Sequence, residues 1–258
     1  MKILFVGDIV SGAGLRTLKA VLPELKKRLS PDFVVANGEN ASRGFGITPQ
    51  NVKAIIASGV DVITGGNHSF DRREIVDLLE DSERVLRPAN LSPGVPGKGF
   101  CLREAAGVKV GVINLVGRIF MAPSEHPFVA ADKAIESLKS AGAQTIIVDF
   151  HAEATSEKAA LAYYLDGRVS AVLGTHTHVP TADARILPGK TGFISDAGMT
   201  GDRESVIGIE RNASIRRFLT GMPGASPSAE GRGTLMGVFL EVSEGKCVSI
   251  RRVEEIEP

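Results

Sequence analysis

From Lys2 to Glu80 the chain alternates short apolar runs with segments of helical period, and each run ends in a small polar loop. Lys2–Val6 is a continuous apolar strand. Leu15, Leu18, Leu22, Leu25 and Leu29 then recur at helical spacing, with Pro23 expected to kink or split that helix. Phe33–Ala36 reads as a buried strand. Thr48 followed by Pro49 places an N-cap before a proline at the first helical position and opens a helix through Ala57. Val60–Thr64 is a third strand. Asp71 with Glu74 has capping-box spacing and opens a helix to about Glu80. Alternation of this kind demands parallel strands covered by helices, an α/β protein.

The second part is more mixed. Pro93, Gly94, Pro96, Gly97 and Gly99 form a turn-rich connector. Phe100–Glu104 and Val108–Val116 read as a hairpin across Ala106-Gly107. Ala131–Ser140 and Ser156–Leu165 read as helices, and Thr145–Phe150 and Ser170–Leu173 as strands. Leu235–Val242 and Cys247–Val253 form a terminal hairpin turning at Glu244-Gly245-Lys246, and Gly221–Ser228 reads as a mobile loop. The expectation is two sheets packed on each other with helices outside, built as one domain over residues 1–258.

Composition excludes several classes. Thirty basic and thirty acidic residues cancel, so no salt-sensitive grip on nucleic acid and no pull to an anionic membrane is expected. Aromatics are 5% and tryptophan is absent, which leaves few stacking platforms for single strands. No apolar run has transmembrane length, and the first residues read as a strand rather than a signal peptide. Cys101 and Cys247 sit in separate apolar runs and read as buried free thiols, which points to a reducing cytoplasm. Self-association into a homo-oligomer stays open.

The polar loops carry the chemistry. They are Gly7-Asp8, Gly38-Glu39-Asn40, Gly65-Gly66-Asn67-His68, His151, and Gly174-Thr175-His176-Thr177-His178, each after a predicted strand. Strand ends are where an α/β protein gathers its catalytic groups. Carboxylates, amides and imidazoles without cysteine suit divalent metals bound through oxygen and nitrogen. Two such ions clamp a phosphoryl group and lower the pKa of a water toward neutrality. A histidine outside the metal shell suits proton delivery at neutral pH. Taken singly, Asp8 is as readily a turn or cap residue. The His176/His178 pair is the strongest local signal, because alternate residues after a strand present both rings to one face. His126, between Ser124-Glu125 and Pro127, has no ligand neighbours and reads as a surface or lid residue. Arg43, Arg118 and Arg203 lie near these loops and are candidate phosphate contacts, although solvated surface arginines are the more ordinary reading.

In this order, the motifs resemble those of the calcineurin-like metallophosphoesterases. Val10 stands where that superfamily usually has a histidine, and Glu39 where it usually has an aspartate. Both departures resemble the bacterial YmdB-type branch, as do Asn37-Gly38-Glu39-Asn40-Ala41, Gly44-Phe45-Gly46-Ile47-Thr48-Pro49 and Arg216-Arg217-Phe218-Leu219-Thr220-Gly221. The resemblance implies a four-layer αββα sandwich of two mixed sheets, with the site at the strand ends. It implies hydrolysis of cyclic nucleotides, 2′,3′-cyclic nucleotides among them, with two divalent or trivalent metal ions, iron or manganese ahead of zinc. By matching position, Asp8, Glu39, Asn40 and His178 would hold one ion. Glu39 would bridge to a second, completed by Asn67, His151 and His176. His68 would be the proton donor, and Asn40 would supply the ligand that Val10 cannot. The same metals would also serve a phosphomonoesterase, a protein phosphatase or a metal-binding regulatory protein.

Two phosphate-loop signals compete weakly. Gly12-Ala13-Gly14 follows the first strand as a dinucleotide-binding fingerprint does, but Thr17 occupies its third glycine position. Gly189-Lys190-Thr191 mimics the end of a P-loop, yet Ala184 replaces its first glycine and a strand-like run follows.

Overall fold

A computed structural model describes residues 1–258. The elements run β1 (Lys2–Val6), β2 (Asp8–Ile9), α1 (Ser11–Leu29), β3 (Phe33–Asn37), α2 (Pro49–Ala57), β4 (Val62–Thr64) and, after a 3₁₀ turn at Arg73–Ile75, α3 (Val76–Asp81). Then come β5 (Phe100–Ala105), β6 (Val108–Val116), α4 (Pro127–Ser140), β7 (Thr145–His151), α5 (Thr155–Tyr164) and β8 (Ala171–Thr175). The chain finishes with β9 (Arg185–Ile186), β10 (Gly192–Ile194), β11 (Met199–Asp202), α6 (Arg211–Thr220), β12 (Gly233–Ser243) and β13 (Lys246–Ile256).

The strands form two mixed sheets. In the seven-stranded sheet the order is β2-β11-β12-β1-β3-β4, with β13 also paired to β12. Here β1, β3 and β4 are parallel, and β12 runs antiparallel to β1. The six-stranded sheet has the order β5-β6-β7-β8-β10-β9, parallel from β6 through β10. Strand alternation builds three apolar seams from these sheets. Leu4, Val6, Val34 and Ala36 point outward and pack under Leu18, Leu22 and Leu25 of α1 and Val52 and Ile55 of α2. Their neighbours Ile3, Phe5, Phe33 and Val35 point inward, against Val110, Val112, Ile147 and Leu173 of the second sheet. The far face of that sheet, Ile113, Leu115, Val148 and Val172, is covered by Ala131, Ile135 and Leu138 of α4 and Leu161 of α5. The result is the four-layer αββα sandwich. No helix is long and apolar enough to cross a membrane.

Two local expectations are corrected. Pro23 does not split α1, which continues from Ser11 to Leu29. Pro23 and Lys19, the residue whose carbonyl loses its partner, both lie on the exposed face, where water satisfies that group. Leu18, Leu22 and Leu25 on either side are held by the sheet. Asp71 caps no helix. Its carboxylate is turned to the His68 ring at 2.8 Å, the chain forms a 3₁₀ turn, and α3 starts at Val76 without a side-chain cap. Helix α6 has no counterpart in the expected elements. It buries only Ser214, and its apolar residues Ile215, Phe218 and Leu219 stay exposed.

The Thr48 cap is present in full. Thr48 Oγ1 accepts from Asn51 N at 3.2 Å, and Asn51 Oδ1 accepts from Thr48 N at 3.0 Å. Thr48→Ala should therefore lower unfolding free energy by about 0.5–2 kcal/mol in denaturant titration without changing the slope. An unchanged midpoint would mean that this reciprocal pair contributes nothing.

Candidate metal centre

The strands next to the seam between the sheets deliver their polar ends to one place. Asp8 begins β2, Glu39 and Asn40 follow β3, and Asn67 and His68 follow β4. His151 ends β7, and His176 and His178 follow β8. Thus all eight residues singled out in the sequence meet. The carboxylates and amides come from the first sheet, and the three central imidazoles from the second.

His151 is the hub and is wholly buried. Its Nε2 lies 2.9 Å from Glu39 Oε1, 3.0 Å from His176 Nδ1 and 3.1 Å from Asn67 Oδ1. One ring nitrogen carries at most one proton and cannot serve three acceptors. Its Nδ1 is 2.9 Å from Thr175 Oγ1 and 3.7 Å from Asp8 Oδ1. Ligand atoms of Glu39, His151 and His176 lie within 4.8 Å of one another. His178 stands beside Asp8, its Nε2 3.9 Å from Asp8 Oδ1 and 3.0 Å from Asn40 Nδ2. Its Nδ1 donates to Ile207 O at 2.9 Å, which leaves the Nε2 lone pair for the cluster. Backbone N–H groups complete the frame. His176 N donates to Asp8 Oδ2 at 3.1 Å, and His68 N to Glu39 Oε2 at 3.0 Å. Gly66 is required by closeness: a Cβ there would lie 2.1 Å from Glu39 Oε2.

The polar atoms left over are diagnostic. Six buried side-chain polar atoms in the whole chain lack a hydrogen-bond partner, and three of them are Asp8 Oδ1, Glu39 Oε1 and Asn40 Oδ1. Glu39 Oε1 is near His151 but lacks hydrogen-bond alignment. Unpaired oxygens buried together are costly unless a cation compensates them. Three oxygens beside three imidazoles fit a divalent or trivalent ion of hard or intermediate character. Electrostatics agrees. Burial disfavours the charged ring of His151, yet the Glu39, Asp8 and Asp149 carboxylates around it raise its pKa to about 9. Burial alone would raise Glu39, but the charge of His151 prevails and takes it down to about 2. Burial, aided by the neighbouring His151 charge, drops His176 to about 3, so its ring is neutral as a ligand must be.

His68 stands apart from the ligand set. Its Nδ1 faces Asp71 Oδ2 at 2.8 Å, and its ring meets Phe45 edge-on with centroids 5.0 Å apart. Nε2 is left toward a cleft of about 270 Å³ above the cluster. Glu39, Asn40, His68, Glu153, His176 and His178 line its polar end, and no lysine or arginine lines it anywhere. Arg43, Arg118 and Arg203 are exposed and outside that lining. His126 is remote, at the start of α4 beside Phe128. Gly12 and Gly14 lie inside α1, and Gly189-Lys190-Thr191 is a turn fastened by Asp166, so neither forms a phosphate loop.

Sequence reasoning missed the second layer. Asp149 is fully buried and takes hydrogen bonds from Asn37, Thr64 and Thr175, the last of which touches His151. Burial raises its pKa to about 6 against those bonds. Asp196 accepts from Thr177 N at 3.0 Å and pairs with buried Lys158 at 3.0 Å, which fixes the turn between the two histidines. Glu153 reaches His176 Nε2 at 3.0 Å. The one legible signal was a carboxylate inside the apolar run Val148-Asp149-Phe150.

Comparison with known proteins follows this geometry. The model of the YmdB-like protein family matches residues 4–253. The chain is 47% identical over 98% of its length to the 2′,3′-cyclic-nucleotide 2′-phosphodiesterase of Bacillus subtilis, covering 96% of that protein. A hypothetical protein from Thermus thermophilus superposes with a TM-score of 0.94 at 45% identity, each chain covered in full. A phosphatase from Mycoplasma pneumoniae gives 0.92 at 33%, covering all of this chain and 94% of that one. With its fold and nearly its whole length matched, the chain belongs to the YmdB-like protein family.

Proposed function

We propose that this protein is a dinuclear metal-dependent phosphodiesterase that hydrolyses cyclic nucleotides, 2′,3′-cyclic nucleotide monophosphates foremost. The observation that carries the reading is the convergence of three buried, unpartnered oxygens with three imidazoles beneath a cleft. The Bacillus subtilis relative, a 2′,3′-cyclic-nucleotide 2′-phosphodiesterase, supports the substrate class. Asp8, Glu39, Asn40 and His178 would hold one ion and Asn67, His151 and His176 the other, with Glu39 shared. Iron or manganese, then zinc, suits these donors. When bound, two such ions supply charge stabilisation at the phosphoryl group and a water acidic enough to attack at neutral pH.

The chain's own residues do the rest. Asp71 holds the His68 ring, and His68 Nε2 delivers a proton to the departing ribose oxygen as its bond to phosphorus breaks. Glu39 anchors the His68 backbone, so the acid is fixed relative to the carboxylate it serves beside. The lining carries no lysine or arginine and does carry Glu153. Such a wall tolerates the single charge of a phosphodiester better than the two of a monoester. That favours diesterase over monoesterase or protein phosphatase activity. Buried free thiols at Cys101 and Cys247 support a cytoplasmic setting.

Metal-loaded protein should carry close to two equivalents by elemental analysis and turn over 2′,3′-cyclic AMP far faster than 3′-AMP. Glu39→Gln keeps volume but not charge, and should lose both ions and activity together. Native metal content in that variant would refute the shared carboxylate, and faster monoester turnover would move the function to the phosphomonoesterases.

His68→Gln should keep its metal and lose about 10²–10⁴-fold in turnover of 2′,3′-cyclic AMP. The defect should shrink on bis(p-nitrophenyl) phosphate, whose leaving group departs without a proton. Equal losses on both substrates would point to positioning instead.

Metal binding must also expel the His151 proton. With its pKa raised to about 9 in the metal-free chain, His151 is charged at neutral pH, and a ligand must be neutral. Affinity should therefore rise as pH climbs from neutrality toward that pKa and level off above it. Calorimetry in buffers of different ionisation enthalpy should show proton release that His151→Gln abolishes. Buffer-independent heats would overturn this assignment.

A further inference from the structure

Six residues that line the cleft have no place in the candidate metal centre. They are Val10, Phe45, Ile207 and Ile209, with the hydroxyl-bearing Ser226 and Ser228. None of these is charged, whereas the rest of the lining includes Glu39, Glu153 and three histidines. Phe45 is 42% exposed and Ile207 47%, so both present apolar surface to a group that enters the cleft.

Both walls are built, not incidental. Arg72 Nε donates to Phe45 O at 3.0 Å, and Arg72 Nη2 to Ser42 O at 3.0 Å, so the Phe45 loop is tied down from outside. A Cβ on Gly44 would stand 3.1 Å from Ser228 Oγ, which shows how closely that loop approaches the 226–228 segment. Ile207 has φ of 48°, a left-handed conformation that strains a β-branched residue. The strain serves two contacts at once: the Ile207 carbonyl accepts from His178 Nδ1, and the side chain forms cleft wall.

We propose that these residues form a nucleobase subsite, with Phe45 as the stacking surface and Ile207 as a second apolar wall. The inference rests on the phosphodiesterase reading and adds what that reading leaves open, namely why a nucleotide is taken over any other cyclic phosphodiester. A flat, neutral, aromatic group matches an uncharged wall of aromatic and aliphatic surface with hydroxyls for its polar edge. A cavity of about 270 Å³ is of the size that takes one small ligand. Phe45 also touches the His68 ring, so a stacked base would sit beside the group that protonates its ribose oxygen.

Kinetics on two five-membered cyclic phosphodiesters test this: 2′,3′-cyclic AMP, and glycerol 1,2-cyclic phosphate, which has no base. The wild type should prefer the nucleotide, chiefly through KM. Phe45→Ala should raise KM for the nucleotide about 10- to 100-fold, the range that losing one base–aromatic stack costs. Its effect on glycerol cyclic phosphate should be at least about tenfold smaller, and Phe45→Trp should restore the preference. Ile207→Gly relieves the strained φ, so it should keep or raise the melting temperature while still raising KM for the nucleotide. Equal losses on both substrates in Phe45→Ala would mean that Phe45 acts only through His68, and would overturn the subsite. A wild type without preference would overturn it too. Failure to hydrolyse either compound would strike the phosphodiesterase reading itself, a result distinct from both.

Discussion

Three carboxylates, those of Asp8, Glu39 and Asp149, are buried within one small volume at the seam of the two sheets. Ions removed from water cost several kcal/mol each unless partners compensate them, and this fold supplies those partners across the seam. Asp8, Glu39 and the amides come from one sheet, Asp149 and the imidazoles from the other, and His151 joins them. Its pKa of about 9 and that of Glu39 of about 2 express one interaction from its two ends. Even so, the compensation is incomplete, because Asp8 Oδ1, Glu39 Oε1 and Asn40 Oδ1 have no aligned hydrogen-bond donor. A protein that buries charge this thoroughly and leaves three oxygens open is shaped for a ligand of positive charge.

The layers and strand ends were legible because burial there follows simple periods. Alternate residues of β1 and β3 face different seams, so both strands read as continuous apolar runs. Thr48-Pro49 marks a helix start that the structure reproduces, because capping is decided by adjacent residues. Where a side chain finds a distant partner, local rules fail. Asp71 has capping-box spacing, but His68 takes its carboxylate. Pro23 ought to break a helix in isolation, yet here packing on the sheet outweighs one lost hydrogen bond on a wet face.

The candidate site shows the same division. Groups that face the cluster lie in short loops after strands and could be picked out one by one. The groups that hold them could not. Thr64, Asn37 and Thr175 meet at Asp149 from three strands. Lys158 reaches Asp196 from a helix far away in sequence. Such contacts are set by register between sheets, and no local spacing encodes them. Ligation is a property of residue type, whereas second-layer support is a property of topology.

Backbone strain marks where topology and chemistry conflict. Ten residues other than glycine have positive φ. Four of them, Arg43, His176, His178 and Ile207, lie in the loops around the cluster and its cleft, and a fifth, Ser11, begins α1 just after Asp8–Ile9. The others sit at a helix end, in turns or in an exposed loop, where such angles are ordinary. His176 and His178 lie beyond the end of β8 and both have positive φ, so a left-handed turn rather than strand alternation brings their rings to the cluster. Asp196 and Lys158 hold the turn between these histidines, and the Ile207 carbonyl fixes the second ring. Strain of this kind persists only where the surroundings over-determine it. The buried ion pair behind Thr177 is therefore better understood as an orienting device for the two imidazoles than as a source of stability, since buried pairs return little net free energy for the water they displace.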